Sequence, residues 1–197
     1  MKHLMRTVTI ALVLTLAVPA MAGDGVGVGD KAPDFSLADT AGNEVSLSDF
    51  EGKTVVMEWL NPDCPFVQRH YKTGTMKKLA TTYGGEGVVW LTINSTNYMD
   101  AADNAKFKAA NELPYTILVD QSGEVGHLYG AKTTPHMYII DGSSELVYIG
   151  AIDDDPRGGK GDGATNYVAA ALDEVVAGKD VTTAETKPYG CSVKYKK

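Results

Sequence analysis

Thr54-Val-Val-Met-Glu-Trp-Leu-Asn-Pro-Asp-Cys64-Pro-Phe-Val67 decides the fold. Residues 54 to 60 form the largely apolar run of a strand. Asn61-Pro62-Asp63 is a turn, and Pro65 opens a long helical pattern. A strand ending in a tight turn, with a cysteine at the start of the next helix, sets sulfur among unpaired backbone N–H groups. That field favours thiolate, so Cys64 is expected to be accessible, acidic and nucleophilic rather than a buried structural cysteine. A C-x-x-C dithiol needs a second cysteine at position 67, which is Val67 here. The only other cysteine in the chain is Cys191, near the C-terminus.

Working outward, Phe35-Ser-Leu37 and Val45-Ser-Leu47 flank Gly42-Asn43 and predict a short N-terminal hairpin. Residues 48 to 51 read as a helical turn. The pattern Val67, Tyr71, Met76, Leu79, Tyr83 predicts one helix from Pro65 to about Tyr83, weakened in its middle by Gly74 and stopped by Gly84-Gly85. Strands follow at 88 to 93 and 116 to 119, with helices at about 100 to 110 and 124 to 131. Met137 to Ile140 and Leu146 to Ile149 predict an antiparallel hairpin, and residues 164 to 177 a last helix stopped by Gly178. Gly23 to Gly29 and the acidic segment Asp153 to Asp162 are expected to be mobile. The order β-α-β-α-β, hairpin, helix describes a three-layer α/β domain with a central mixed sheet.

Lys2 and Arg6, the apolar stretch Thr7 to Val18, and Ala20-Met21-Ala22 read as a signal peptide over residues 1–22, cleaved before Gly23. The chain is therefore expected to be exported, to a periplasm or the extracellular space, with no membrane attachment after cleavage. The remaining 175 residues suit one domain at 27–181 and a polar C-terminal tail at 182–197 that carries Cys191. Loss of Lys2 and Arg6 leaves 16 basic against 25 acidic side chains, which speaks against nucleic acid and anionic membrane surfaces. Two cysteines in an exported chain permit one internal disulfide.

These residues resemble a known group. A strand, a cysteine at a helix start, a βαβ unit and Thr134-Pro135 before a hairpin look like the thioredoxin fold, here with an N-terminal β-hairpin extension. Gly29-Asp-Lys-Ala-Pro-Asp-Phe-Ser-Leu37 is similar to the opening of the alkyl hydroperoxide reductase and thiol-specific antioxidant superfamily. Asn61-x-x-Cys64-Pro65-Phe66-Val67, Thr134-Pro135-His136, Tyr148 to Asp154 and Thr186 to Lys194 resemble its peroxiredoxin-like redoxins. The resemblance implies that Pro135 is cis and faces the active-site cysteine. It stops short of a peroxiredoxin. The Pro-x-x-x-Thr-x-x-Cys motif of that group falls on Met57 and Asn61 when its cysteine is set on Cys64. Set one helical turn later, its cysteine falls on Val67 and its threonine on Cys64. Neither register supplies the motif.

The chemistry expected is thiol–disulfide exchange, or weak thiol-dependent antioxidant activity, with Cys64 and Cys191 as catalytic residues. The Cys64 thiolate attacks a disulfide or is oxidised to sulfenic acid, and Cys191 then resolves it. A static Cys64–Cys191 bridge is the competing use of the same pair. Pro65, Thr134, Pro135 and His136 would shape the substrate groove. His136 could instead be a strand residue with a backbone partner, and His70 a packed or solvated helix residue. No cofactor or metal is expected. The substrate would be a protein or small thiol or disulfide, and the donor an unidentified thiol. The alternative is a copper-handling or client-binding module with a structural disulfide, drawing on Cys64, Cys191, His136 and Met137. Leu60 stands where thioredoxin-fold copper chaperones carry a further cysteine. Asn94-Ser-Thr96 matches a glycosylation sequon.

Overall fold

In the computed structural model, which describes residues 25–197, a five-stranded sheet carries the molecule. The signal-peptide segment lies outside the described residues. Among the described residues no helix is long and apolar enough to cross a membrane.

The first two strands, β1 (Ser36–Ala38) and β2 (Glu44–Ser46), form the expected antiparallel hairpin, and a short 3-10 turn at Leu47–Phe50 leads into β3 (Val55–Trp59). Then come α1 (Pro65–Lys72), α2 (Thr75–Gly84), β4 (Val89–Asn94), α3 (Ala101–Ala110), β5 (Thr116–Val119) and α4 (Glu124–Tyr129). The chain continues through β6 (Thr133–Thr134), β7 (His136–Ile140), β8 (Leu146–Gly150), α5 (Tyr167–Val176) and β9 (Cys191–Ser192). The sheet order is β5-β4-β3-β7-β8. Strands β3, β4 and β5 run parallel, whereas β7 is antiparallel to both β3 and β8.

Every residue of β3 is buried, as its apolar run requires of a central strand covered on both sides. Val56 and Leu60 pack with Met76, Leu79, Val168 and Leu172 beneath α2 and α5. Val55, Met57 and Trp59 point the other way, into a second core with Phe35, Val125, Tyr129 and Tyr138. The alternation of successive strand residues between opposite faces thus builds two apolar layers around one sheet.

The helix predicted from Pro65 to about Tyr83 is two helices. Gly74 sits at φ 71°, a left-handed conformation that favours glycine, and it starts α2 afresh. The segment from Gly25 is pinned rather than loose: Gly29 N–H donates to Leu146 O (2.8 Å), and Gly25 abuts the Gly130 backbone. The acidic segment is also organised. The Asp155 carboxylate accepts the Gly159 and Lys160 N–H groups (2.9 and 2.8 Å), and Asp154 accepts the Lys160 ammonium (2.7 Å). Asn94, Ser95 and Thr96 are all buried, with the Asn94 amide donating to Asn104 (2.7 Å), so the sequon is closed to glycosylation in the folded chain.

Candidate active site

Cys64 is the N-cap residue of α1, with extended backbone and Pro65 in the first helical turn. Its thiol donates to the Thr134 carbonyl (2.9 Å), and the Thr134–Pro135 peptide is cis. The turn is locked by Asp63 N–H donating to the Asn61 side chain (2.8 Å) and by Cys64 N–H donating to Asn61 O (3.0 Å). Burial pushes the Cys64 thiol up. Hydrogen bonding to the Thr134 side chain, to the Val67 N–H at the helix start and to Cys191 outweighs that, and the net shift is downward.

Cys64 is 1 % exposed, so the expected accessibility fails. What covers it is the tail. Strand β9 pairs antiparallel with β6, setting Cys191 opposite Thr134 and Ser192 opposite Thr133. Both cysteines are free thiols, with Cys191 partly exposed. Burial and the neighbouring Cys64 push Cys191 up to about 11. The two sulfurs thus shift in opposite directions, the buried Cys64 downward and the partly exposed Cys191 upward.

The tail is a built strap. Thr186 Oγ1 meets the Tyr148 hydroxyl (2.6 Å) and accepts Ala151 N–H (2.9 Å). The Tyr189 hydroxyl donates to Asp153, meets His70 Nε2 (3.0 Å) and accepts from Arg69 (3.2 Å). Arg69 also donates to the Asp155 and Pro156 carbonyls (2.8 and 3.1 Å), tying the acidic loop to α1. Beyond Cys191, Val193 N–H donates to Lys132 O (3.2 Å), and the Tyr195 ring stacks on His127 with centroids 4.0 Å apart. Gly190 permits the turn. Its φ is 138°, and a β-carbon there would lie 2.0 Å from the Thr134 oxygen.

Pro65 is exposed at the helix start, while Thr134 and Pro135 are buried beneath the strap. His136 is elsewhere. Along β7 it shares a face with Tyr138, and Tyr138 belongs to the core opposite that of Cys64. Its Nδ1 faces Lys132 N–H (3.3 Å) and the Tyr138 hydroxyl (3.1 Å). Burial, then the Lys132 charge, pushes His136 down to about 3, so it stays neutral. The four donors of the copper alternative are thus divided between two faces of the sheet. Among the described residues, no group of three or more His, Cys, Asp or Glu is disposed to hold a metal. His70 is packed, 3 % exposed, and lowered mainly by burial.

One residue escaped the reading of the sequence. Glu58 lies in the middle of β3 on the Cys64 side, fully buried, with Oε2 accepting from Tyr71 (3.0 Å), Trp90 (3.4 Å) and Thr92 (3.5 Å). Its Oε1 has no partner. Burial raises its pKa to about 8, so at neutral pH it is chiefly a neutral acid able to give or take a proton inside the core. A lone carboxylate within an apolar strand was the available signal.

Residues 28–149 match the AhpC/TSA family. The thiol-disulfide oxidoreductase ResA of Geobacillus kaustophilus is 31 % identical over 124 residues, covering 63 % of this chain and 69 % of that protein. The chloroplastic peroxiredoxin Q of Oryza sativa subsp. japonica is 29 % identical over 140 residues, 63 % of this chain and 58 % of the rice protein. Among solved structures, an uncharacterized conserved protein from Geobacillus kaustophilus superposes with a TM-score of 0.80 at 31 % identity. That match covers 92 % of this chain and 98 % of the other.

Proposed function

We propose, for a chain that belongs to the AhpC/TSA family of thioredoxin-fold redoxins, an exported thiol–disulfide oxidoreductase whose working pair is Cys64 and Cys191. The observation that carries this is the β6–β9 pairing, which brings a second thiol to the Cys64 site although position 67 is valine. In the oxidising half-reaction the Cys64 thiolate attacks a substrate disulfide and releases one thiol. Cys191 then attacks the Cys64 sulfur, releases the second thiol and closes the Cys64–Cys191 bond. Two electrons pass to the substrate, and an external thiol donor returns them. Export is supported by the leader pattern of residues 1–22.

The test is a glutathione redox titration of the full chain with mass detection, run beside Cys191→Ser. One intramolecular disulfide should form and reopen under mild reductant, and Cys191→Ser should lose turnover. A bridge that never forms, one that opens only on denaturation, or undiminished turnover in Cys191→Ser would each end this proposal. Metal analysis of protein purified without chelators separates it from the copper-handling alternative.

A further inference from the structure

We infer that the substrate of this site is a small disulfide bearing carboxylates, read by lysines around the strap, and not a polypeptide. This rests on the pairing proposed above and names the substrate class.

Size is set by the strap. A polypeptide would align its main chain with the sheet edge at Thr133–Thr134, and β9 already fills that edge. The strap is held on both sides of Cys191. Before it, the Tyr189 hydroxyl joins Asp153, His70 and Arg69. After it, the Asn97 side chain donates to the Lys194 and Tyr195 carbonyls (2.6 and 3.0 Å), and the Tyr195 hydroxyl donates to Ala131 O (2.7 Å). Moving the main chain breaks several of these contacts at once, whereas the partly exposed Cys191 side chain turns about a single bond. That turn admits a sulfur on a narrow stem to Cys64 and leaves β9 in place.

Charge is set by the tail. The chain is acidic, with 25 acidic against 18 basic side chains, yet residues 182–197 hold four lysines and one acid, Glu185. A groove of about 680 Å³ runs beside the strap, with Lys132, Lys187 and Glu185 on its walls. Lys194 donates to Ser192 Oγ (3.2 Å), next to Cys191, and its ammonium favours the Cys191 thiolate. Lys132, Lys187 and Lys194 are exposed, and among the described residues none of them pairs with a carboxylate. Against them stand Glu185 and Asp63, the latter already bonded by the Tyr98 hydroxyl (3.3 Å). The surplus of ammonium groups favours a ligand whose own carboxylates flank its sulfurs.

The reaction balances. The Cys64 thiolate bonds to one substrate sulfur, and the electron pair of the substrate S–S bond leaves on the other. Cys191 gives up its proton and attacks Cys64 Sγ, and the second half of the substrate departs as thiolate. Both halves end as thiols, carrying the two protons that the cysteines lose.

The experiment mixes the reduced full chain with dithiodipropionate (anionic), bis(hydroxyethyl) disulfide (neutral), cystamine (cationic) or insulin. Samples are quenched with acid at successive times, and the Cys64–Cys191 disulfide is read by mass. Each rate is divided by the rate of the same disulfide with dithiothreitol, which removes intrinsic reactivity. In about 0.01 M salt dithiodipropionate should lead the neutral disulfide by about tenfold or more, with cystamine and insulin slower still. The lead should collapse in about 1 M salt, and Lys132→Gln with Lys187→Gln should shrink the anionic-to-neutral ratio. A neutral or cationic disulfide reacting as fast as the anion, a ratio indifferent to salt, or insulin matching dithiodipropionate overturns the inference and leaves the pairing intact. Failure to form any Cys64–Cys191 disulfide overturns both.

Discussion

Replacing Glu58 by glutamine should remove a specific pH dependence from stability. The folded chain holds this carboxyl at about 8 against an ordinary 4.5, with burial as the main cause. Between those values the unfolded chain carries the charge and the folded chain does not, so unfolding releases a proton. The stabilisation is fully present below the unfolded pKa and is lost as pH rises through the folded one. Each pH unit inside the window costs about 1.4 kcal/mol, giving about 4 kcal/mol between pH 5 and pH 8 as an upper figure. Glutamine keeps the shape and one oxygen for the Tyr71 and Trp90 donors, but it cannot ionise. Urea unfolding of the reduced wild type and Glu58→Gln at pH 5 and pH 8 measures the difference. All other titrating groups are common to both proteins, so the gap between the two profiles isolates Glu58. The variant should gain several kcal/mol on the wild type over that interval. Parallel profiles, differing by less than about 1 kcal/mol, would show that Glu58 is ionised in the fold and that its burial has been misjudged.

Gly190→Ala should dislodge the strap, since its β-carbon would meet the Thr134 oxygen at 2.0 Å, and alkylation of Cys64 should accelerate; an unchanged labelling rate refutes the covering role of β9. Tyr189→Phe removes a hydroxyl shared by Arg69, His70 and Asp153 and should cost about 1–3 kcal/mol in denaturant unfolding, with faster labelling of Cys64. A loss within error would mean that the hub does not hold the tail. Oxidation by hydrogen peroxide should be slow, because Met57 and Asn61 stand where the peroxiredoxin Pro and Thr would be; a stopped-flow rate matching a true peroxiredoxin would overturn that reasoning.

The parts of the fold legible in sequence were those with local causes. The apolar run before Cys64, the Pro-bounded helix start, Gly42-Asn43 and the period of each helix all act within a few residues, and the sheet followed from their order. Gly74 was visible as a weak point, yet only its φ of 71° turns a weak helix into two. The same limit applies to the site. Cys64 and Thr134-Pro135 stood out, but which face of β7 His136 takes was not legible, and of its two readings the strand residue with a backbone partner is the one seen. Its ring is placed by Tyr138 and by the register of β7 against β3, and neither is written near Cys64. The tail was harder still. Tyr189, Gly190 and Tyr195 gain their meaning from Asp153, Thr134 and His127, all distant in sequence, and no periodicity announces a two-residue strand.

The strap also sets an order in time. Thr134 and Cys191 are 57 residues apart, and Cys191 follows Cys64 by more than a hundred residues. A chain synthesised from its N-terminus has Cys64 in place well before its cover exists, and closing so distant a contact costs entropy that nearer contacts do not. A chain cut short before Pro188 would lose Tyr189 from one apolar layer and Val193 and Tyr195 from the other, and would uncover the Cys64 thiol, so clipped molecules would be more reactive at Cys64 than intact ones. Arrival of the strap caps the nucleophile.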